Sequence, residues 1–182
     1  MNSDNDLLNR ARKLENQALA EVYDRFSPGL YRYAFRLLGD AGLAEECVAE
    51  AFSRFLRALH RGGGPHQHLQ AYLYRVAHNW VTDAYRRQPL LPLPEGAGAH
   101  DPSSPSPAET VDRRLECERV RAALSRLTPK QRQVIVLKFL QGWENHEVAL
   151  ALNKPVGAVK SLQHRALAAL RRALSADEHG KR

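Results

Sequence analysis

Cysteine occurs only twice in the 182 residues, at Cys47 and Cys117. Two thiols cannot build a disulfide framework, and reduced side chains in a cytoplasmic protein are the expectation. No apolar run approaches the roughly 20 residues of a membrane span. The N-terminal MNSDNDLLNRARKLENQ lacks the apolar core of a signal peptide. A soluble, cytoplasmic protein is therefore expected. Strand-type alternation and internal repeats are also missing. So are the motifs of catalysis: there is no phosphate-cradling loop, no nucleophile elbow and no paired-carboxylate pattern. The Gly62–Gly64 run lacks the Lys of a nucleotide-binding loop. His66-Gln67-His68 has no third metal ligand nearby, and His146-Glu147 lacks the second His of a zinc-protease helix. Neither an enzyme nor a cofactor or metal is expected.

One further absence is local. Between Glu147 and Asp177 there is no acidic residue, while Lys154, Lys160, Arg165, Arg171 and Arg172 fall in that interval with His164. The surrounding stretch, WENHEVALALNKPVGAVKSLQHRALAALRR (143–172), reads as two helices meeting at a corner. Val148, Ala149 and Leu152 share one helical face, and Val159, Leu162, Ala166, Ala169 and Leu170 share another. Asn153 suits the left-handed residue that turns a chain out of a helix, and Pro155 suits the first turn of the next. A helix-turn-helix follows. Lys160, Ser161, His164 and Arg165 lie off the apolar stripe and are free to face outward together. A helix presenting cations and donors suits a phosphate-lined major groove.

The net charge of +7 points to a polyanionic partner, and it is unevenly placed. Residues 109–182 hold 15 basic and eight acidic residues, against 12 and 10 in 1–88. Six of the ten prolines fall in 88–107. That composition cannot hold a helix or a sheet and predicts a tether over 88–108.

Before the tether, three amphipathic patterns predict one helical domain over 10–87. The first runs from about Leu14 to Leu38, bent or interrupted near Ser27-Pro28-Gly29 and stopped at Gly39. The second carries Val48, Phe52, Phe55, Leu56 and Leu59, with Asp40 as its N-cap. The third carries Leu69, Leu73, Val76, Ala77, Trp80 and Ala84, which assigns Trp80 to the core. After the tether, helix signals begin near Glu109 with Val111, Leu115, Leu124 and Leu127. Thr128-Pro129-Lys130-Gln131 then reads as a capped helix start. Val134, Ile135, Leu137 and Leu140 are expected to fill that helix and Gly142 to end it. The fold class is all-α: two small helical domains, 10–87 and 109–175, joined by a Pro-rich linker.

The order of helical domain, tether and helix-turn-helix resembles bacterial sigma factors of the extracytoplasmic-function (ECF) class. LAEECVAEAFSRFLRAL (43–59), AYLYRVAHNWVTDAYRR (71–87) and ALSRLTPKQRQVIVLKFLQGWENHEVALALNKPVGAVKSLQHRALAALRRAL (123–174) carry the resemblance. The middle one is similar to the family pattern LYRIARNxxxDxxRR. The resemblance implies a protein that binds core RNA polymerase and brings it to promoter DNA, held in check in many cases by an anti-sigma factor. It implies a region 2-like domain over 10–87 and a region 4-like domain over 109–175.

The resemblance also implies three sets of contact residues. Lys154, Pro155, Gly157, Lys160, Ser161, His164 and Arg165 would read the −35 element as duplex. Arg75, His78, Asn79, Asp83, Arg86 and Arg87, with the loop from His60 to His68, would read and melt the −10 element. Glu46, Ala49 and Glu50 would dock on polymerase. The family usually has an Asp, a Gln and an acid at the polymerase-docking positions. It has Ser or Thr where Glu144 stands here, with Glu147 placed for the reciprocal capping role. Leu162-Gln163 replaces a commoner Arg-Leu, so no contact carries over at 162. A stand-alone helix-turn-helix regulator, with 10–87 as a dimerisation or sensor domain, is the alternative.

Overall fold

The computed structural model describes residues 2–87, 122–124 and 126–179. The expected tether over 88–108, the helix signals at Val111 and Leu115, and Cys117 lie outside the described residues. Among those described, every regular element is helical, as the patterning predicts. In chain order they are α1 (Asn2–Arg12), α2 (Asn16–Leu38), α3 (Ala41–His60), α4 (Leu69–Arg87), α5 (Pro129–Ile135), α6 (Asn145–Leu152) and α7 (Val156–His179). A single π-helical turn, Val136–Leu140, prolongs α5.

Helix α1 has no counterpart in the sequence patterning. Only Leu7, Leu8 and Ala11 are apolar on its inner face, and all three are buried against α2. Leu14, with φ 60°, turns the chain into α2. That helix runs without interruption through Pro28, so of the bend or interruption expected near Ser27-Pro28-Gly29 the interruption does not occur. Asp24 and Pro28 are both exposed. The carbonyl that the proline leaves without a donor therefore sits on the water side, where the cost is small. Gly29 has a packing role instead: a Cβ there would meet the Tyr74 hydroxyl at 2.7 Å. Gly39, at φ 73°, ends α2 with its amide on the Phe35 carbonyl, and Asp40 caps α3 by accepting from the Leu43 amide at 2.8 Å.

The apolar stripes of α2, α3 and α4 close on one another around Leu30, Tyr33, Leu37, Phe55, Leu73, Ala77 and Val81. Trp80 packs partly buried against this core, as expected. Tyr74 is buried between Tyr33 and Trp143, with ring centroids 5.3 and 4.5 Å away. The buried cluster does not stop at α4. It continues through Val134, Val136, Leu137, Trp143, Val148, Leu152 and Val159. A smaller cluster of Leu124, Leu127, Ile135 and Ala166 closes α5 on α7.

Thr128 and Gln131 form the expected reciprocal cap at the start of α5: the Gln131 amide donates to Thr128 Oγ1 at 3.4 Å, and the Thr128 amide to Gln131 Oε1 at 3.0 Å. Val134, Ile135 and Leu137 are buried as expected, but Leu140 is 39% exposed. The wide turn explains this correction. The Gln141 amide bonds back to Val136 rather than to Leu137, which rotates the last residues off the apolar stripe.

Candidate nucleic-acid interface

The corner between α6 and α7 is built as its sequence dictates. Asn153 is left-handed at φ 50° and ψ 52°, and Lys154 donates its amide to the Ala149 carbonyl at 2.9 Å. The Pro155 carbonyl accepts the first helical bonds of α7, from the Ala158 and Val159 amides. At the start of α6 the Glu144 amide donates to Glu147 Oε2 at 2.7 Å, the reciprocal role expected of Glu147. The Glu144 carboxylate takes an ion pair with Lys138 at 3.1 Å. Val159 and Ala166 turn inward. Pro155, Gly157, Lys160, Ser161, His164 and Arg165 are exposed, and Lys154 is half-buried beside them. Ser161 Oγ donates to the Gly157 carbonyl at 3.0 Å, and Arg165 Nε to the Ser161 carbonyl at 3.3 Å. The guanidinium is thereby folded along the outer face of the helix. The whole group lies on the first half of α7 and the turn before it.

On α4 the candidate residues divide between two stripes. Arg75, Asn79, Asp83 and Arg86 recur at spacings of four, four and three, and so share the outward face. Asn79, Arg86 and Arg87 are exposed. Arg75 lies over the Tyr72 ring at 5.5 Å, and Arg86 pairs with Asp83 at 3.5 Å. His78 lies on the neighbouring stripe with Tyr74, Thr82 and Tyr85. That stripe faces the C-terminal helices. Burial, with the charges of Lys154 and Lys130 behind it, holds the His78 imidazole down to a pKa of about 4. It is a neutral group in a packed face here.

This face between α4 and the C-terminal helices holds several polar side chains that local sequence does not announce. Arg132 is fully buried. Its Nε donates to the Leu124 carbonyl at 2.8 Å, and its Nη1 to the Leu37 carbonyl at 3.4 Å and the Tyr85 hydroxyl at 3.2 Å. Tyr85 donates its own hydroxyl to the Leu37 carbonyl. Gln133 Nε2 reaches Thr82 Oγ1 at 3.2 Å, and Arg36 reaches the Leu140 carbonyl at 3.1 Å. Neither Arg132 nor Gln133 is marked as interior by its neighbours in the chain, since both read as the polar face of an amphipathic helix.

The loop joining α3 to α4 contains three residues with positive φ, Gly62 at 72°, Gly64 at 88° and His68 at 54°. Pro65 is buried, whereas His66, Gln67 and His68 are exposed. On α3, Glu46 and Ala49 are exposed. Glu50 is held in place by Arg54 at 2.7 Å and Arg57 at 3.1 Å, and the hydrogen bond from Arg54 is the first cause of its lowered carboxyl pKa. Cys47, one turn away, is buried with its thiol pushed up to about 12 by burial, so no thiolate is available for redox chemistry.

Comparison with known proteins matches both halves. The sequence model of Sigma-70 region 2 matches residues 22–89, and that of Sigma-70 region 4 matches residues 117–170. The ECF RNA polymerase sigma factor BldN of Streptomyces coelicolor is 31% identical over 94% of this chain, which spans 66% of that relative's length. The ECF RNA polymerase sigma factor SigL of Mycobacterium tuberculosis is 30% identical over 88% of this chain and 91% of its own. Among solved structures, CnrH in complex with the cytosolic domain of CnrY superposes with a TM-score of 0.73 at 26% identity, covering 96% of this chain and 98% of that one. With both sigma regions present in family order, and 30% identity to SigL over 88% of its own length, the chain belongs to the ECF RNA polymerase sigma factors.

Proposed function

We propose that this sigma factor holds a promoter at two places by different physics. As a member of its family it binds core RNA polymerase and directs promoter-specific transcription initiation. Duplex DNA displays each base pair in the major groove as a distinct pattern of donors and acceptors, so the −35 element is read intact. The exposed group on α7, from Lys154 and Pro155 through Gly157, Lys160, Ser161, His164 and Arg165, suits that task. A melted −10 element has lost its groove and must be read by stacking and by pockets for unpaired bases. The outward stripe of α4, with Arg75, Asn79, Asp83, Arg86 and Arg87, lies beside the loop 60–68 and suits the second task. Glu46, Ala49 and Glu50 on α3 provide the polymerase-docking surface. The stretch 88–108 links a domain over 10–87 to one over 109–175. CnrH is solved with the cytosolic domain of CnrY, and RpoE of Bartonella quintana with the anti-sigma factor NepR. An anti-sigma partner is proposed for this chain also.

The observation that carries this reading is the acid-free, outward-facing cation group on α7. Transcription in vitro with purified core polymerase tests it: promoter-specific transcripts are expected only when the protein is added. Lys160→Ala or Arg165→Ala should weaken −35 binding by about 1–3 kcal/mol if the side chain reads a base. A phosphate contact would instead lower affinity on all sequences alike and flatten the salt slope by about one unit. A protein that gives no specific transcripts yet binds a palindrome alone is the stand-alone regulator instead.

A further inference from the structure

The loop that follows α3 combines the freest backbone in the N-terminal half with an unusual restraint. Three consecutive glycines, Gly62 to Gly64, have access to more backbone conformations than any other residues, and fixing each costs about 1–2 kcal/mol. The first part of the loop is tied down by α3 itself: the Gly62 amide bonds to the Leu59 carbonyl and the Gly63 amide to the Ala58 carbonyl, both at 2.9 Å. The second part has no such partner in α3. It is held from a distance by Arg12, whose Nη1 donates to the Gly63 carbonyl at 3.2 Å and to the Pro65 carbonyl at 2.9 Å. One guanidinium nitrogen thus bridges the carbonyls of the two residues on either side of Gly64, itself at φ 88°.

Arg12 is the last residue of α1, and α1 is firmly seated. Leu7, Leu8 and Ala11 are buried against α2, and Asp4 pairs with Arg25 at 2.6 Å. Arg10 pairs with both Glu15 and Glu21, at 3.2 and 3.6 Å. Helix α1 also lies outside residues 22–89, the segment matched as Sigma-70 region 2. The restraint on the loop therefore comes from a part of the chain beyond the matched region. Beyond Pro65 the exposed His66, Gln67 and His68 lead straight into α4 and its outward stripe.

We propose that Arg12 is a positioning residue for promoter opening: it presets the loop 61–68 so that an unpaired base of the −10 element meets an already ordered backbone. The inference rests on the reading of that loop as part of the −10 surface. Ordering the loop in advance removes an entropy cost from the moment of base capture, the general benefit of preorganisation. Both bonds leave the single nitrogen Nη1, so an ammonium, with three donors on one nitrogen, keeps part of the restraint in Arg12→Lys.

Holoenzyme carrying Arg12→Ala, Arg12→Lys or Gly64→Ala tests this against a fluorescent single-stranded oligonucleotide. The oligonucleotide is the non-template −10 segment of a promoter mapped from the wild-type holoenzyme's own transcripts. Arg12→Ala and Gly64→Ala should each weaken binding about fivefold, and Arg12→Lys by less. Affinity for core polymerase and for −35 duplex should be unchanged. Hydrogen exchange at the Gly62–Gly64 amides should accelerate in Arg12→Ala while the α2 amides stay protected. Wild-type affinity in Arg12→Ala overturns the proposal. Parallel loss of core binding and −10 binding overturns it too, by making Arg12 a fold residue only. If wild-type holoenzyme itself does not prefer the −10 strand to a scrambled one, it is the −10 reading that fails, and the inference with it.

Discussion

The packing beneath α2 and α3 and the packing between α4 and the C-terminal helices are made of different materials. Beneath α2 and α3 the contacts are Leu30, Leu37, Phe55, Leu59 and Leu73, apolar side chains with almost no exposure. Between α4 and the C-terminal helices, Tyr74, Trp143, Leu137, Val148 and Leu152 supply apolar area. Around them lie Thr82, Tyr85, Arg132 and Gln133, joined by directed hydrogen bonds. Two buried atoms of this second face, His78 Nδ1 and Gln133 Oε1, have no hydrogen-bond partner among the described residues. Apolar burial is lost outright when a core is opened. A hydrogen bond exchanged for water costs only about 0.5–1.5 kcal/mol net. The first region is held almost wholly by apolar burial, whereas the second adds to its apolar burial a set of bonds that water can replace.

Three perturbations press on that difference. Phe55→Ala should cost about 3–5 kcal/mol, because a large ring is removed from a site that cannot collapse around the gap. Urea unfolding of the full chain measures it, and the loss should abolish polymerase binding as well. A cost under about 1 kcal/mol would mean that the two regions do not differ in kind.

Between pH 6.5 and about 4, acid should act chiefly on the second region. His78 has a pKa of about 4 when packed, against an ordinary 6.5, so the packed state binds fewer protons than the opened one between those values. Contact stability is therefore full above pH 6.5 and is lost as pH falls towards 4, by at most about 3 kcal/mol. Lys154 and Lys130 face the ring and add to the loss. The Trp143 fluorescence should shift over that range while helical circular dichroism stays constant, and His78→Asn should remove the pH dependence. A simultaneous loss of helix signal would break the distinction.

The smallest effect is expected for Gln133→Leu. It removes the bond to Thr82 and also the unpartnered Oε1, so the two changes offset within about 1 kcal/mol. A loss above about 2 kcal/mol in the same urea assay would show the polar contacts to be as structural as the leucines.

The parts legible in the sequence are those whose causes are local. Asn153 and Pro155 define the corner from within four residues, and Thr128 with Gln131 defines a helix start from within another four. The outward position of Lys160, Ser161, His164 and Arg165 follows from the apolar stripe of their own helix. What escaped the sequence depends on partners far along the chain. Helix α1 offers only three inward apolar residues, too few to establish a period. Pro28 is tolerated because the carbonyl it strands is on the water side, which no composition reveals. Tyr74, His78, Thr82 and Tyr85 form a stripe of amphipathic side chains, and only the arrival of Arg132, Gln133 and Trp143 turns it into an interior. The exposure of Leu140 depends on one extra residue in a helical turn, for which the apolar pattern holds no sign.

The continuity of the buried cluster across α4 has a metric consequence. Promoter elements centred near −10 and −35 lie about 25 base pairs apart, or roughly 85 Å of duplex at 3.4 Å per step. A close-packed chain of this length has a radius of gyration of about 16 Å. A shut molecule is thus a ruler too short for that distance. If the surfaces proposed on α7 and α4 grip both elements at once, the molecule must unclasp, and each promoter engaged registers the work of that unclasping as lost affinity.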